Sequence, residues 1–168
     1  RFMQTKYIAA HCHIQFEQYA EAGVALIERM REAGVAGIVV GVDYESSKKA
    51  VALAEKHEHL FASIGLHPNR EGDEWYEVSH YRELAKSPKV VALGECGLDF
   101  FRPMEIHDGV PVVSEVELKR KQKAILNDQV VLAAELDKPL IIHARPSKGM
   151  QDAYHDLIQI LKGAKSTY

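Results

Sequence analysis

"KVVALGECGLDFFR", Lys89 to Arg102, is an apolar run that breaks off into polar residues set between glycines. Val90 to Leu93 read as a buried strand, because branched and aliphatic side chains fill both of its faces. Glu95 follows at once, between Gly94 and Gly97, and Asp99 closes the stretch before two phenylalanines. Taken alone, a carboxylate at the mouth of a strand is an ordinary loop residue, and Asp99 an ordinary turn former. Their meaning depends on what the other strands carry at the same place.

Outward from this stretch, strand and helix patterns alternate along the chain. A first strand is expected over Tyr7–Ala10, a second over Ala36–Val42, a third over Leu60–Pro68 running into a loop, and a fifth over Lys138–Arg145. Between them, Tyr19, Gly23, Leu26, Ile27, Met30 and Ala33 recur at helical spacing, with Gly34 as the stop. Further helices are expected over Ser46–His57, Glu74–Lys86 and Met150–Gly163. Ser114 and Glu117 form a capping box, and behind it Leu118, Gln122, Ile125, Leu126, Gln129, Leu132, Ala133 and Leu136 mark one face of a long helix. Arg102 to Val113 is a long connection with two prolines. Five strand–helix units with strands apolar on both faces argue for a parallel sheet covered by helices. On length, 168 residues suit a doubly wound five-stranded sheet, since a (β/α)8 barrel usually takes about 250.

Composition narrows the function classes. The chain is 46% hydrophobic and 27% charged, with a net charge of −3. It has no global basic field to draw in nucleic acid, so an anionic substrate must be held by local groups or by metal. Two cysteines at no zinc-ribbon spacing make no disulfide framework, which fits a reducing cytoplasm. No run approaches the roughly 18 apolar residues of a membrane span, and the start lacks a signal-peptide pattern. Position 1 is arginine, as expected of a trimmed chain. Residues 1–168 read as a single domain.

The strand ends carry the chemistry. The first ends in His11-Cys12-His13, the third in Gly65-Leu66-His67-Pro68, the fourth in Gly94-Glu95-Cys96-Gly97-Leu98-Asp99 and the fifth in His143-Ala144-Arg145. If the first strand continues, His11 and His13 share a face and can reach one metal ion. Singly, each has a bland explanation: His67 before proline as a turn residue, His143 as a structural core histidine, Arg145 as an ion-pair partner. Together they share one address, the carboxyl ends of strands, where α/β proteins place their sites.

In this order the four motifs resemble the TatD family of metal-dependent hydrolases, over Tyr7 to about Leu161, with "GECGLDFFR" the most specific part. The resemblance implies a TIM-type (β/α)8 barrel, here an incomplete one of about five units, in place of the doubly wound sheet. It implies a deoxyribonuclease that hydrolyses phosphodiester bonds, single-stranded DNA being the expected substrate, with two divalent ions. His11 and His13 would bind one ion, His143 the second, and Glu95 would bridge them as the catalytic carboxylate. His67, Asp99 and Arg145 match positions facing the substrate. Two ions about 3.5–4 Å apart suit such a hydrolysis, and an arginine can fork onto phosphate. Zinc, manganese and nickel suit the mixed ligands, with magnesium through the carboxylates.

The pattern departs from the family in two ways. Ala9 stands where the family's I-D-x-H-x-H motif has aspartate. Three further strand–helix units, with a metal histidine after strand six and a catalytic aspartate after strand eight, have no counterpart in these residues. Two alternatives follow: an amidohydrolase acting on C–N bonds, which shares the His-x-His element, and a catalytically incomplete chain that binds metal and self-associates through open sheet edges.

Overall fold

The computed structural model describes residues 4–69, 75–101, 106–107, 110–111 and 114–164. Its strands are β1 (Tyr7–Cys12), β2 (Val35–Val40), β3 (Leu60–Ile64), β4 (Val90–Asp99), the two-residue strands β5 (Ile106–His107) and β6 (Val110–Pro111), and β7 (Leu140–Arg145). Five of them form one sheet in the order β1-β2-β3-β4-β7, every neighbouring pair parallel. Each strand therefore lies beside its predecessor, and the sheet curls as part of a (β/α)8 barrel wall. A doubly wound sheet reverses its order at a switch point, and none occurs among the described residues. The architecture that length favoured is thus replaced by the barrel. β5 and β6 pair antiparallel within the Arg102–Val113 connection, most of which lies outside the described residues.

Helices α1 (Gly23–Ala33), α2 (Tyr44–Lys56), α3 (Val78–Leu84), α4 (Glu115–Glu135) and α5 (Asp152–Gly163) connect the strands. Their ends follow local chemistry. Gly34 ends α1 with φ 74°, in the left-handed region. α2 starts two residues before the expected Ser46, capped by Asp43: its carboxylate accepts the Ser46 amide, and the Ser46 hydroxyl accepts the Asp43 amide. α1 begins at Gly23, because Glu17–Tyr19 form a 3-10 turn whose period is close enough to helical to continue the apolar spacing. α3 is shorter than the Glu74–Lys86 pattern. Glu74 lies outside the described residues, and Glu77 caps the helix through the Ser79 amide. The Ser114 hydroxyl accepts the Glu117 amide and starts α4 as expected.

The core lies between strands and helices. Ile27, Val39, Leu60, Ile64, Leu93 and Leu132 belong to one buried cluster, and Cys96, Leu98, Leu126 and Val130 to a second under α5. A fully buried aliphatic side chain of this kind contributes about 1.5–3 kcal/mol. This packing fixes the strand ends on which the polar motifs sit.

Candidate metal centre

β1 runs past Ala10 through Cys12, with its pairing to β2 shifting register between Ala9 and Cys12. Such an irregularity re-aims side chains, and it leaves His11 and His13 with their Nε2 atoms 3.1 Å apart. The His13 ring is fixed from behind. Its Nδ1 lies 2.9 Å from the Val40 carbonyl oxygen, which can only accept, so Nδ1 carries the proton and Nε2 keeps its lone pair for the site. Phe16 stacks on the same ring at 4.8 Å.

Glu95 is placed by main-chain bonds. Its amide donates to the Gly41 carbonyl at 2.9 Å, and the buried Ser63 hydroxyl donates to the Gly94 carbonyl. Gly94 (φ 131°) and Gly97 (φ 145°) adopt backbone geometry that side-chain-bearing residues rarely take. A β-carbon at either would collide with the Ile141 or the His143 carbonyl oxygen of β7. Glycine therefore lets β4 lie close to β7 on both sides of the carboxylate.

The two Glu95 oxygens face different imidazoles. Oε2 lies 3.3 Å from His11 Nε2 and 3.9 Å from His13 Nε2. Oε1 lies 3.4 Å from His143 Nδ1 and 3.8 Å from His67 Nε2. Two groups result, His11–His13–Glu95 and His67–Glu95–His143, each with its ligand atoms within 4.8 Å of one another. Burial raises the Glu95 pKa, but the hydrogen bond with His143 and the neighbouring His67 and His11 outweigh it and hold the carboxyl below its ordinary range.

Asp99, expected to face substrate, is only 1% exposed and turned toward His143, whose Nε2 lies 2.9 Å from Asp99 Oδ2. This contact puts the neutral-ring proton on Nε2 and leaves the Nδ1 lone pair toward Glu95, the arrangement seen behind metal-ligating histidines. The His143 pKa is raised by the bond to Glu95, against burial, with Asp99 adding to the rise. His67 differs. Its Nδ1 accepts the Asn69 amide at 3.1 Å, so the neutral ring carries its proton on Nε2 and presents a donor to the site. Arg145 lies over Phe101, its guanidinium carbon 3.9 Å from the ring centroid. Ala9 is half-buried on β1 and contributes no polar group.

All seven residues singled out in the sequence fall in or just past the carboxyl-terminal halves of β1, β3, β4 and β7, with Glu95 inside β4, which runs on through Asp99. Sequence reasoning missed the groups behind them. Val40 O and the Asn69 amide are main-chain atoms and leave no side-chain signal. Phe101 was visible only as one of two phenylalanines after the motif. The donor set fits a divalent transition metal, since neutral imidazoles and a carboxylate are ligands of that class, and two of the rings have their tautomers fixed with a lone pair inward.

A family model described as "TatD related DNase" matches residues 8–168. The chain belongs to the TatD-related DNase family. Among TatD relatives, the 3'-5' ssDNA/RNA exonuclease TatD of Erwinia tasmaniensis is 36% identical over 149 residues, covering 86% of this chain and 50% of that protein. The metal-dependent hydrolase YabD of Bacillus subtilis is 35% identical over 154 residues, covering 90% and 53%. The crystal structure of YJJV, a TatD homolog from Escherichia coli K12, superposes with a TM-score of 0.75 at 28% identity, covering 96% of this chain and 57% of that one. The chain spans about half the length of the curated relatives it matches.

Proposed function

We propose that the chain is the metal-holding part of a nuclease that hydrolyses phosphodiester bonds in nucleic acid, single-stranded DNA foremost. The observation carrying this reading is the division of Glu95, one oxygen toward His11 and His13 and the other toward His143 and His67. In it, His11, His13 and Glu95 would hold one divalent ion, and Glu95 and His143 would hold a second. Divalent ions there supply an activated water and offset the charge of the phosphodiester. His67 donates Nε2–H toward a phosphate oxygen. Asp99 keeps His143 in its ligating tautomer. Arg145, its guanidinium held over the Phe101 ring, offers N–H groups for bidentate contact with phosphate. The names of the TatD exonucleases support a single-stranded substrate.

Two further parts of the reading concern the chain's setting. Cys12 and Cys96 are free thiols, which suits a reducing cytoplasm. The outer strands β1 and β7 have one neighbour each in the sheet, and Tyr7 and Ile8 on β1 are 69% and 65% exposed. Such edges favour self-association. No described helix is long and apolar enough to cross a membrane.

The test is release of acid-soluble nucleotide from single-stranded DNA with manganese or magnesium, run beside hydrolysis of a cyclic amide. The full-length protein is expected to cleave DNA and not the amide. Amide hydrolysis without DNA cleavage would favour the C–N hydrolase and overturn the nuclease reading.

A further inference from the structure

Two glutamines on the apolar face of α4 serve neither the core nor the surface. Gln122 is 3% exposed and Gln129 fully buried. They stand seven residues apart, two helical turns, and so share one face. A primary amide in a core is costly unless its hydrogen bonds are met, and both side chains meet theirs on the main chain of a strand end. Gln129 Oε1 accepts the Leu66 amide at 2.9 Å, and its Nε2 donates to the Leu66 carbonyl at 3.1 Å. Gln122 Oε1 accepts the Asp99 amide at 2.9 Å, and its Nε2 donates to the carbonyls of Asp99 at 3.0 Å and Pro68 at 3.2 Å.

The places clamped are those that carry the site. Leu66 and Pro68 flank His67, and Asp99 holds His143. The Phe100 amide bonds to Arg145 O on β7, so by strand alternation the Asp99 main-chain groups point the other way, past the end of β3 at Ile64. No described strand continues there to receive them. At Asp99, Gln122 takes the part of a neighbouring strand.

We infer that Gln122 and Gln129 are positioning residues: from one helix they fix the backbone at the ends of β3 and β4, and through it the tautomer and aim of His143 and His67. The path for Gln122 runs from its amide to the Asp99 main chain, then from the Asp99 carboxylate to His143 Nε2–H, leaving Nδ1 toward Glu95. For Gln129 it runs through Leu66 to His67. The inference rests on the metal-centre reading for its consequence, but not for its direct readout.

That readout is the ring-nitrogen NMR spectrum of the metal-free full chain, which reports each histidine's tautomer. Gln122→Met and Gln129→Met keep side-chain size and remove the amide. Val130→Ala, a buried α4 position outside the clamps, controls for general loosening. Gln122→Met should turn the single His143 tautomer into a mixture and disturb His67 less, through the lost bond to Pro68, Gln129→Met should disturb His67 and leave His143 unchanged, and Val130→Ala should change neither. Where Gln122→Met does not fold, Gln122→Glu keeps the acceptor for Asp99 N–H, loses the donated bonds and should show the same mixture in weaker form. Titration with zinc alone should then show affinity about 10–100-fold lower in the Gln122 variants. Unchanged ring signals in both Gln122 variants, or equal disturbance in Val130→Ala, would overturn the inference. Failure of every form to bind zinc, with selective tautomer changes intact, would count against the metal centre and not against the clamps.

Discussion

Glu95 meets four imidazoles with two oxygens, and the fine tuning of that meeting is in the protons. His143 must lose a proton to bind metal, and its pKa is raised, first by Glu95 and then, against burial, by Asp99. In the metal-free protein the raised value contributes stability that is fully present below the unfolded imidazole pKa and fades as pH rises through the folded one. For metal binding the sign is opposite: affinity falls on acidification, beginning above the ordinary imidazole range. Asp99→Asn removes one charge that raises His143. Its acid limb should therefore move to lower pH, while affinity on the alkaline plateau drops about 10–100-fold through loss of the orienting bond. Zinc titrations across pH check both, and an unmoved acid limb would show that Asp99 does not govern His143. At this scale much was legible: His11, His13, His67, Glu95, Asp99, His143 and Arg145 come together toward the carboxyl ends of their strands, although β4 runs on past Glu95 to Asp99. What the letters did not give was direction. Asp99 turning inward to His143, and His67 holding its proton on Nε2, depend on main-chain and buried partners that only the fold brings near.

The elements explain why glycine brackets Glu95. β4 and β7 approach closely where Gly97 faces the His143 carbonyl, and φ at Gly97 is 145°. Gly97→Ala combines a main-chain collision with disfavoured backbone, each an effect of about 1–3 kcal/mol. It should lower the melting temperature and also weaken metal binding, since β7 carries His143. Leu132→Ala is the contrasting case. Leu132 is fully buried on α4, and its truncation should cost about 2–5 kcal/mol while leaving metal affinity of the folded fraction unchanged. Thermal melts paired with zinc titration separate the two; a Gly97→Ala variant with wild-type affinity would show that β4–β7 spacing does not set the site. The apolar face of α4 was legible nearly residue by residue, because helical period and burial coincide there. The start of α1 was not, because a 3-10 turn carries the apolar spacing on past its own end. α2 starts at Tyr44 and not at Ser46, because Asp43 takes the cap and Ser46 the returning half of the capping box.

Across the whole molecule, sequential strand order decides the architecture. Counting units and residues pointed to a doubly wound sheet, and only the motif resemblance pointed to the barrel. Periodicity reports that strands are buried and parallel, but strand order is set by long-range packing that no local pattern encodes. The site inherits that order: β1, β3, β4 and β7 present their ends on one rim because each lies next in line around the wall, so groups far apart in sequence converge on one carboxylate. The central claim is that this carboxylate joins two metal groups. Calorimetric titration of the metal-free chain with zinc or manganese tests it most directly. The wild type should take up two ions, His11→Ala/His13→Ala should lose the tighter one, His143→Ala should lose the other, and Glu95→Gln should weaken both. A Glu95→Gln variant that binds both ions with wild-type affinity, or loses only one, would contradict the account.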